Sequence, residues 1–275
     1  MKYSKRLPYY FILLTIFLFG CNKKSNRLND LNRMKLKGDV IGLIEKNSWE
    51  DNPKFLIETY TLFNENGNSE KVLILDENGN LLHTYVSKDK FKDDKIIEKT
   101  TSGKSYYNGS TEFKVTFNYE NEKLISDSYF NLDGSHSSNS HYFYDMNGLI
   151  IKDSNIVEYK DKDGKKIKST SEGRFFYNEK KELIRVNRYS GDLDTKEKST
   201  YFLKNDIVFK KIGNTGIVTN YKYTFDSVGN WIKKRDTNSG EINIRKIYYK
   251  KDDLSVFMKK FNDVETGKLK LKKNN

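Results

Sequence analysis

The sequence predicts an all-β protein, an antiparallel meander of repeated β-hairpins forming an extended, twisted sheet with room for one short N-terminal helix. Three observations carry this. Alanine, the best helix former, is absent from the 275 residues, as is glutamine, while the turn formers Asn and Gly number 29 and 17. Apolar residues amount to only 36%, yet 14% are aromatic, which fits a thin, aromatic-rich core and is foreign to disordered chains. Strict alternation recurs along the chain: Phe113, Val115, Phe117 and Tyr119 share one face, and Glu112, Lys114, Thr116 and Asn118 the other. Period-two alternation is the mark of a half-buried strand.

In chain order, Lys2, Lys5 and Arg6 precede an apolar run from Tyr9 to Phe19. That run is shorter than the ~20 residues a membrane helix needs and suits the hydrophobic segment of an export signal. It ends Leu18-Phe19-Gly20-Cys21, which resembles the lipobox of bacterial lipoproteins, with Phe19 where a small or aliphatic residue is usual. The resemblance implies cleavage before Cys21, lipidation of that residue and membrane attachment through it. The lack of Asp after Cys21 and of an acidic cluster implies, by the same resemblance, the outer membrane on its periplasmic side. As the sole cysteine, Cys21 has no disulfide partner. The chain thus divides into a leader (1–20), a lipidated cysteine and polar tether (21–33), and a single hairpin-repeat domain (34–275).

Leu28, Leu31 and Met34 recur at helical spacing before Gly38, which suits either a short capped helix or a continuation of the tether. Strands follow. Tyr221, Tyr223 and Phe225 alternate with Asn220, Lys222 and Thr224, and Ile242 and Ile244 lead into Ile247-Tyr248-Tyr249. Asn66-Gly67 and Asn78-Gly79 carry the pair that favours type I′ hairpin turns. Further turns are expected at Asp133-Gly134, Asn147-Gly148, Asp163-Gly164, Val228-Gly229 and Ser239-Gly240, and Ser135–Ser140 reads as a long hairpin loop.

Aligned on an aromatic followed by Asn or Asp, the units read Phe63-Asn64-Glu65-Asn66-Gly67, Tyr144-Asp145-Met146-Asn147-Gly148-Leu149-Ile150, Tyr177-Asn178 with Leu183-Ile184, and Phe225-Asp226-Ser227-Val228-Gly229-Asn230-Trp231. Tyr119 to Ile125 is a relative without glycine. The pattern, over residues 58–250, resembles the tyrosine–aspartate (YD, RHS-like) repeat, although only Tyr144-Asp145 reproduces the pair and the spacing is irregular. MORN-like repeats are a second resemblance. Both imply strings of hairpins; neither implies one activity.

No catalytic signature stands out. The three histidines, His83, His136 and His141, match no metal-ligand spacing, so neither a metal nor another cofactor is expected. Asp93-Asp94 and Asp252-Asp253 read as acidic pairs in polar, exposed segments, and Asp161-Lys162-Asp163-Gly164, a faint echo of a calcium loop, as a charged hairpin tip. The formal net charge is +12, and Lys233, Lys234 and Arg235 with Lys250 and Lys251 form the candidate binding surface for an acidic protein or an anionic glycan. Nucleic acid does not suit an exported protein. The expectation is a non-enzymatic, lipid-anchored binding or scaffold module of the cell envelope. Its rivals are an immunity- or antitoxin-like partner of a secreted toxin, and an envelope glycan hydrolase.

Overall fold

Residues that alternate in polarity over eight to twelve positions, punctuated by Asn, Asp and Gly, leave a chain one economical choice: pair each segment with the next. The computed structural model does this throughout the residues it describes, which are 29–50, 57–105, 109–133, 136–160, 164–191, 197–250 and 254–266. A short helix α1 (Asp30–Arg33) precedes strands β1 (Val40–Trp49), β2 (Ile57–Phe63), β3 (Ser69–Asp76), β4 (Leu81–Lys92), β5 (Lys95–Ser105), β6 (Gly109–Glu120), β7 (Lys123–Asn131) and β8 (His136–Tyr144). There follow β9 (Ile150–Lys160), β10 (Lys166–Tyr177), β11 (Leu183–Gly191), β12 (Glu197–Lys204), β13 (Ile207–Ile212), β14 (Val218–Phe225), β15 (Trp231–Asp236) and β16 (Glu241–Tyr249), then helix α2 (Leu254–Glu265).

Every strand is antiparallel to its sequence neighbour, and β1 pairs with β16 from Val40↔Tyr249 to Trp49↔Glu241, so the sheet is a closed 16-strand barrel. The expected all-β hairpin meander is present; the expected open, extended sheet is not. Strand twist accumulates around the sheet, and closure removes the two rows of unpaired N–H and C=O groups that open edges would expose. Lysines are therefore not needed to blunt edges.

Seven hairpins turn at one rim, the near rim: β2–β3, β4–β5, β6–β7, β8–β9, β10–β11, β12–β13 and β14–β15. In each, the register shifts just before the turn, at Phe63, Phe91, Tyr119, Tyr144, Tyr177, Leu203 and Phe225. These are the repeat residues seen in sequence, with Phe91 and Leu203 filling the gaps that made the spacing look irregular. Where a turn is longer, the Asx after the aromatic fastens it: Asp226 Oδ1 accepts from the N–H groups of Val228 (3.0 Å) and Asn230 (2.9 Å), and Asn64 Oδ1 from those of Asn66 and Asn68. Only the glycine takes positive φ there, so Asn66-Gly67 and Asn78-Gly79 are not the expected type I′ pairs. That geometry belongs instead to Asp93-Asp94, Asn121-Glu122 and Asn205-Asp206, where both residues have positive φ. The rim tyrosines reach sideways: the hydroxyls of Tyr119, Tyr144 and Tyr177 donate to the carbonyls of Ile96 (3.0 Å), Leu124 (2.7 Å) and Ile150 (2.8 Å), each on the preceding hairpin.

The expected Ser135–Ser140 loop is also corrected, because residues 136–140 begin strand β8. Ser138 and Ser140 are 3% and 7% exposed and face inward. Helix α1 occupies part of the segment where a short helix was expected, while Leu28 lies outside the described residues.

Strand parity separates two faces. Leu43, Glu45, Lys99, Phe117, Asp127 and Arg245 point inward, where residues 29–38 lie. Contacts show this placement: Asp30 meets Lys99 at 2.5 Å and Ser69, Arg33 lies 5.5 Å from the Phe117 ring, and Lys37 and Asn230 exchange hydrogen bonds of 2.7 and 2.9 Å. Only a segment inside the ring reaches β3, β5, β6 and the β14–β15 turn together. Helix α2 packs on the opposite, outward face. Its Phe257, Phe261 and Val264 cover Ile44, Tyr60, Leu73, Leu75 and Tyr248.

Candidate functional site

The outward face decides what medium surrounds the barrel. On β6 the outward positions are Ser110, Glu112, Lys114, Thr116, Asn118 and Glu120; on β10 they include Lys166, Lys168, Thr170, Glu172 and Arg174. Neighbouring strands pair these charges: Lys114 with Glu98 at 2.9 Å and Lys152 with Glu172 at 2.9 Å. Some outward aromatics have cations over them, as Phe176 has Arg185 (4.0 Å to the ring centre) and Phe143, still 46% exposed, has Lys152 (5.5 Å). A barrel in a bilayer needs an apolar outer band, and each Lys or Arg at its midplane costs about 2–4 kcal/mol. Among the described residues, an outward apolar surface of Ile44, Tyr60, Leu73, Leu75 and Tyr248 lies under α2.

The interior is packed at the near rim and looser toward the far rim. At the near rim Ile96, Phe117, Leu124, Tyr142, Phe175, Leu183, Val186 and Leu203 form one buried cluster, and Leu36, Val40, Leu43 and Phe63 form another with Leu31 and Met34 of the inserted segment. Together these make a floor. Four of its inward-facing carboxylates are engaged, whereas both oxygens of Asp89, opposite Lys99, are buried without a hydrogen-bond partner and burial pushes that carboxyl's pKa up. Asp153 takes both its hydrogen bonds from Arg188 (2.6 and 2.8 Å), and Gly173 leaves the room, since a Cβ there would lie 2.5 Å from the guanidinium. Asp127 accepts from the Tyr142 hydroxyl, and burial pushes its pKa up. Glu45 pairs with Arg245 at 2.7 Å, and that guanidinium stacks 3.6 Å from the Trp231 ring centre. Burial alone would raise the Asp30 carboxyl, but the Lys99 and Arg33 charges outweigh it and hold the group well below the usual range.

Toward the far rim the inner wall carries a run of rings. His83 and Tyr85 stack at 5.8 Å, Tyr85 meets Phe113 at 6.4 Å, Phe113 meets Tyr129 at 5.1 Å, Tyr129 meets His136 at 5.4 Å, and His136 meets Tyr159 at 6.5 Å. All six are half-buried, unlike the floor residues. Gly103 sits beneath Tyr85, where a Cβ would lie 2.4 Å from the ring, so the missing side chain lets the stripe pass over β5. Hydroxyls and amides accompany the rings: Ser138 donates to Asn155 at 3.0 Å, Tyr129 donates to Asn131 at 2.7 Å, and Ser87 meets Thr101 at 2.9 Å. The buried nitrogens Nδ1 of His83 and Nε2 of His136 have no hydrogen-bond partner. Burial lowers both imidazole pKa values, which keeps the rings neutral at pH 7.

The sequence-predicted cations do not converge. Strand parity sends Lys233 and Arg235 outward and Lys234 inward, where it lies 4.3 Å from the Tyr221 ring centre with its pKa lowered by burial. Arg235 pairs with Glu50, and Lys250 lies at the near rim, donating its backbone N–H to Asp39 at 2.7 Å. Lys251 and Cys21 lie outside the described residues. His136 faces inward and His141 outward from the same strand, and among the described residues no three His, Cys, Asp or Glu side chains gather to hold a metal. Sequence reading missed the ring run because its six members are spread over five strands, each showing only a period-two alternation.

No family model and no curated protein matches the chain. Among solved structures it is similar to a porin-like protein from Bacteroides uniformis, at 9% identity and a TM-score of 0.40, covering 76% of this chain and 98% of that one. It is also similar to a porin-like protein from Bacteroides vulgatus, at 8% identity and a TM-score of 0.39, covering 78% and 100%. Likeness at that level carries nothing about the role of this chain.

Proposed function

We propose that the protein is a non-enzymatic binding vessel of the cell envelope, attached to a membrane through lipidated Cys21 without crossing it. The charged outward face is the observation that carries this reading. Four floor carboxylates support it too, since Asp127, Asp153, Glu45 and Asp30 are committed to Tyr142, Arg188, Arg245 and Lys99. From Cys21 to Asn29 an extended chain spans at most about 3.3–3.6 Å per residue. The near rim therefore stays close to the membrane, and the ring-lined half of the interior opens away from it.

The experiment replaces residues 22–26 with a site for a sequence-specific protease, and cleaves the protein on isolated membranes. A folded barrel released into the supernatant is the expected result. Retention of the fully cleaved barrel in the membrane pellet, resistant to alkaline extraction, would overturn the reading.

A further inference from the structure

Resting on the reading of the barrel as a binding vessel, we propose that His83, Tyr85, Phe113, Tyr129, His136 and Tyr159 form a binding strip for a neutral oligosaccharide. Three features of the strip choose this occupant. First, the rings continue across β4, β6, β7, β8 and β9 with adjacent centres 5.1–6.5 Å apart, and none is fully buried. Aromatic faces carry partial negative charge and attract the weakly positive C–H faces of pyranose rings. A run of rings thus offers several successive sugars a surface each.

Second, the strip holds unused hydrogen-bonding capacity. Nδ1 of His83 and Nε2 of His136 are buried without partners, an arrangement that costs free energy unless something completes it. A neutral imidazole donates through one nitrogen and accepts through the other, which matches a sugar hydroxyl, itself donor and acceptor. Third, the neighbouring inward side chains Ser87, Thr101, Asn131, Ser138 and Asn155 are polar and uncharged. An acyl chain would want an unbroken apolar lining, and an acidic glycan would want cations on this wall. The inward cations Lys211 and Lys234 instead lie over Tyr201 and Tyr221, on strands β13 and β15.

The test is calorimetric titration of the full-length protein with maltohexaose, cellohexaose and mannohexaose, at low and at moderate salt. A hexuronate and a fatty acid serve as competing classes. At least one neutral hexaose binds, with an affinity indifferent to salt. Phe113→Ala and Tyr159→Ala each weaken it at least tenfold, and His136→Phe, which keeps a ring and loses the nitrogens, weakens it several-fold. Phe143→Ala, on the outward face, leaves it unchanged and controls for general loosening; circular dichroism and melting confirm that each variant folds. Absence of binding by every neutral hexaose up to about 10 mM, binding unmoved by Phe113→Ala, or binding confined to the hexuronate or the fatty acid would overturn the proposal. Release of a soluble barrel on tether cleavage would still stand in that event, so the two readings fail separately.

Discussion

Removing the slot that seats α2 on the barrel should destabilise the protein in a way that a second change repairs. Phe257 is 0% exposed, 4.9 Å from the Tyr248 ring and 5.7 Å from that of Phe261. Its ring fills the space where Gly42 has no side chain: a Cβ on Gly42 would sit 2.5 Å from Cζ and 2.7 Å from both Cε atoms. Contacts that short force the ring to move, and overpacking of this kind costs about 1–3 kcal/mol. Phe257→Ala loses the buried ring outright, at about 3–5 kcal/mol. In the double variant the added methyl enters vacated space, so Gly42→Ala should cost almost nothing in the Phe257→Ala background. The cycle then shows a coupling of about 1–3 kcal/mol, with the double variant more stable than the sum of the singles. Urea unfolding of all four proteins, read from midpoints at constant slope, measures it. Singles that add within about 0.5 kcal/mol would show that α2 does not sit in the Gly42 slot.

Three further outcomes are expected. Asp30→Asn breaks the ion pair that holds the inserted segment to Lys99, so it should destabilise the barrel at pH 7. Because the folded pKa of Asp30 lies below its unfolded value, that contribution is present above about pH 4 and is lost as pH falls further, so wild type and variant should converge in acid melts. Gly229 has φ +87, where a β-branched side chain is strained, and Gly229→Val should lower stability by about 1–3 kcal/mol, an equal melting temperature being the contrary result. Cys21→Ser should abolish labelling by a radioactive fatty acid and leave unprocessed precursor; undiminished labelling would remove the lipid anchor from the account.

Much of the fold was legible because hairpin signals are local. Tyr144-Asp145 with Gly148 and Phe225-Asp226 with Gly229 announce strand end, turn and return strand within a few residues. The units at Phe91 and Leu203 escaped notice because their turns, Asp93-Asp94 and Asn205-Asp206, reach positive φ without glycine. Closure was illegible for a different reason. It rests on the pairing of Val40–Trp49 with Glu241–Tyr249, and nothing in either segment names its remote partner. Helix α2 did leave a signal, with Leu254, Phe257, Met258, Phe261 and Val264 at helical spacing, obscured by a sequence otherwise set to period two. The candidate strip required the register itself. Only with Phe113 set on one wall with Tyr129 and Tyr85 do scattered alternations become a line of rings.

The sideways tyrosine bonds at the near rim bear on how such a protein changes over generations. Each of Tyr119, Tyr144 and Tyr177 ties its own hairpin to the one before it by an identical backbone bond. A hairpin is thus an interchangeable module whose joint to its neighbour does not depend on which neighbour it is. Because strands enter two at a time, duplication or deletion of one whole hairpin preserves the antiparallel meeting of the first and last strands, and the ring still shuts. A gene of this kind can resize its barrel by unequal recombination between repeats, widening or narrowing the enclosed space in single steps, whereas loss of half a unit leaves a seam that cannot close.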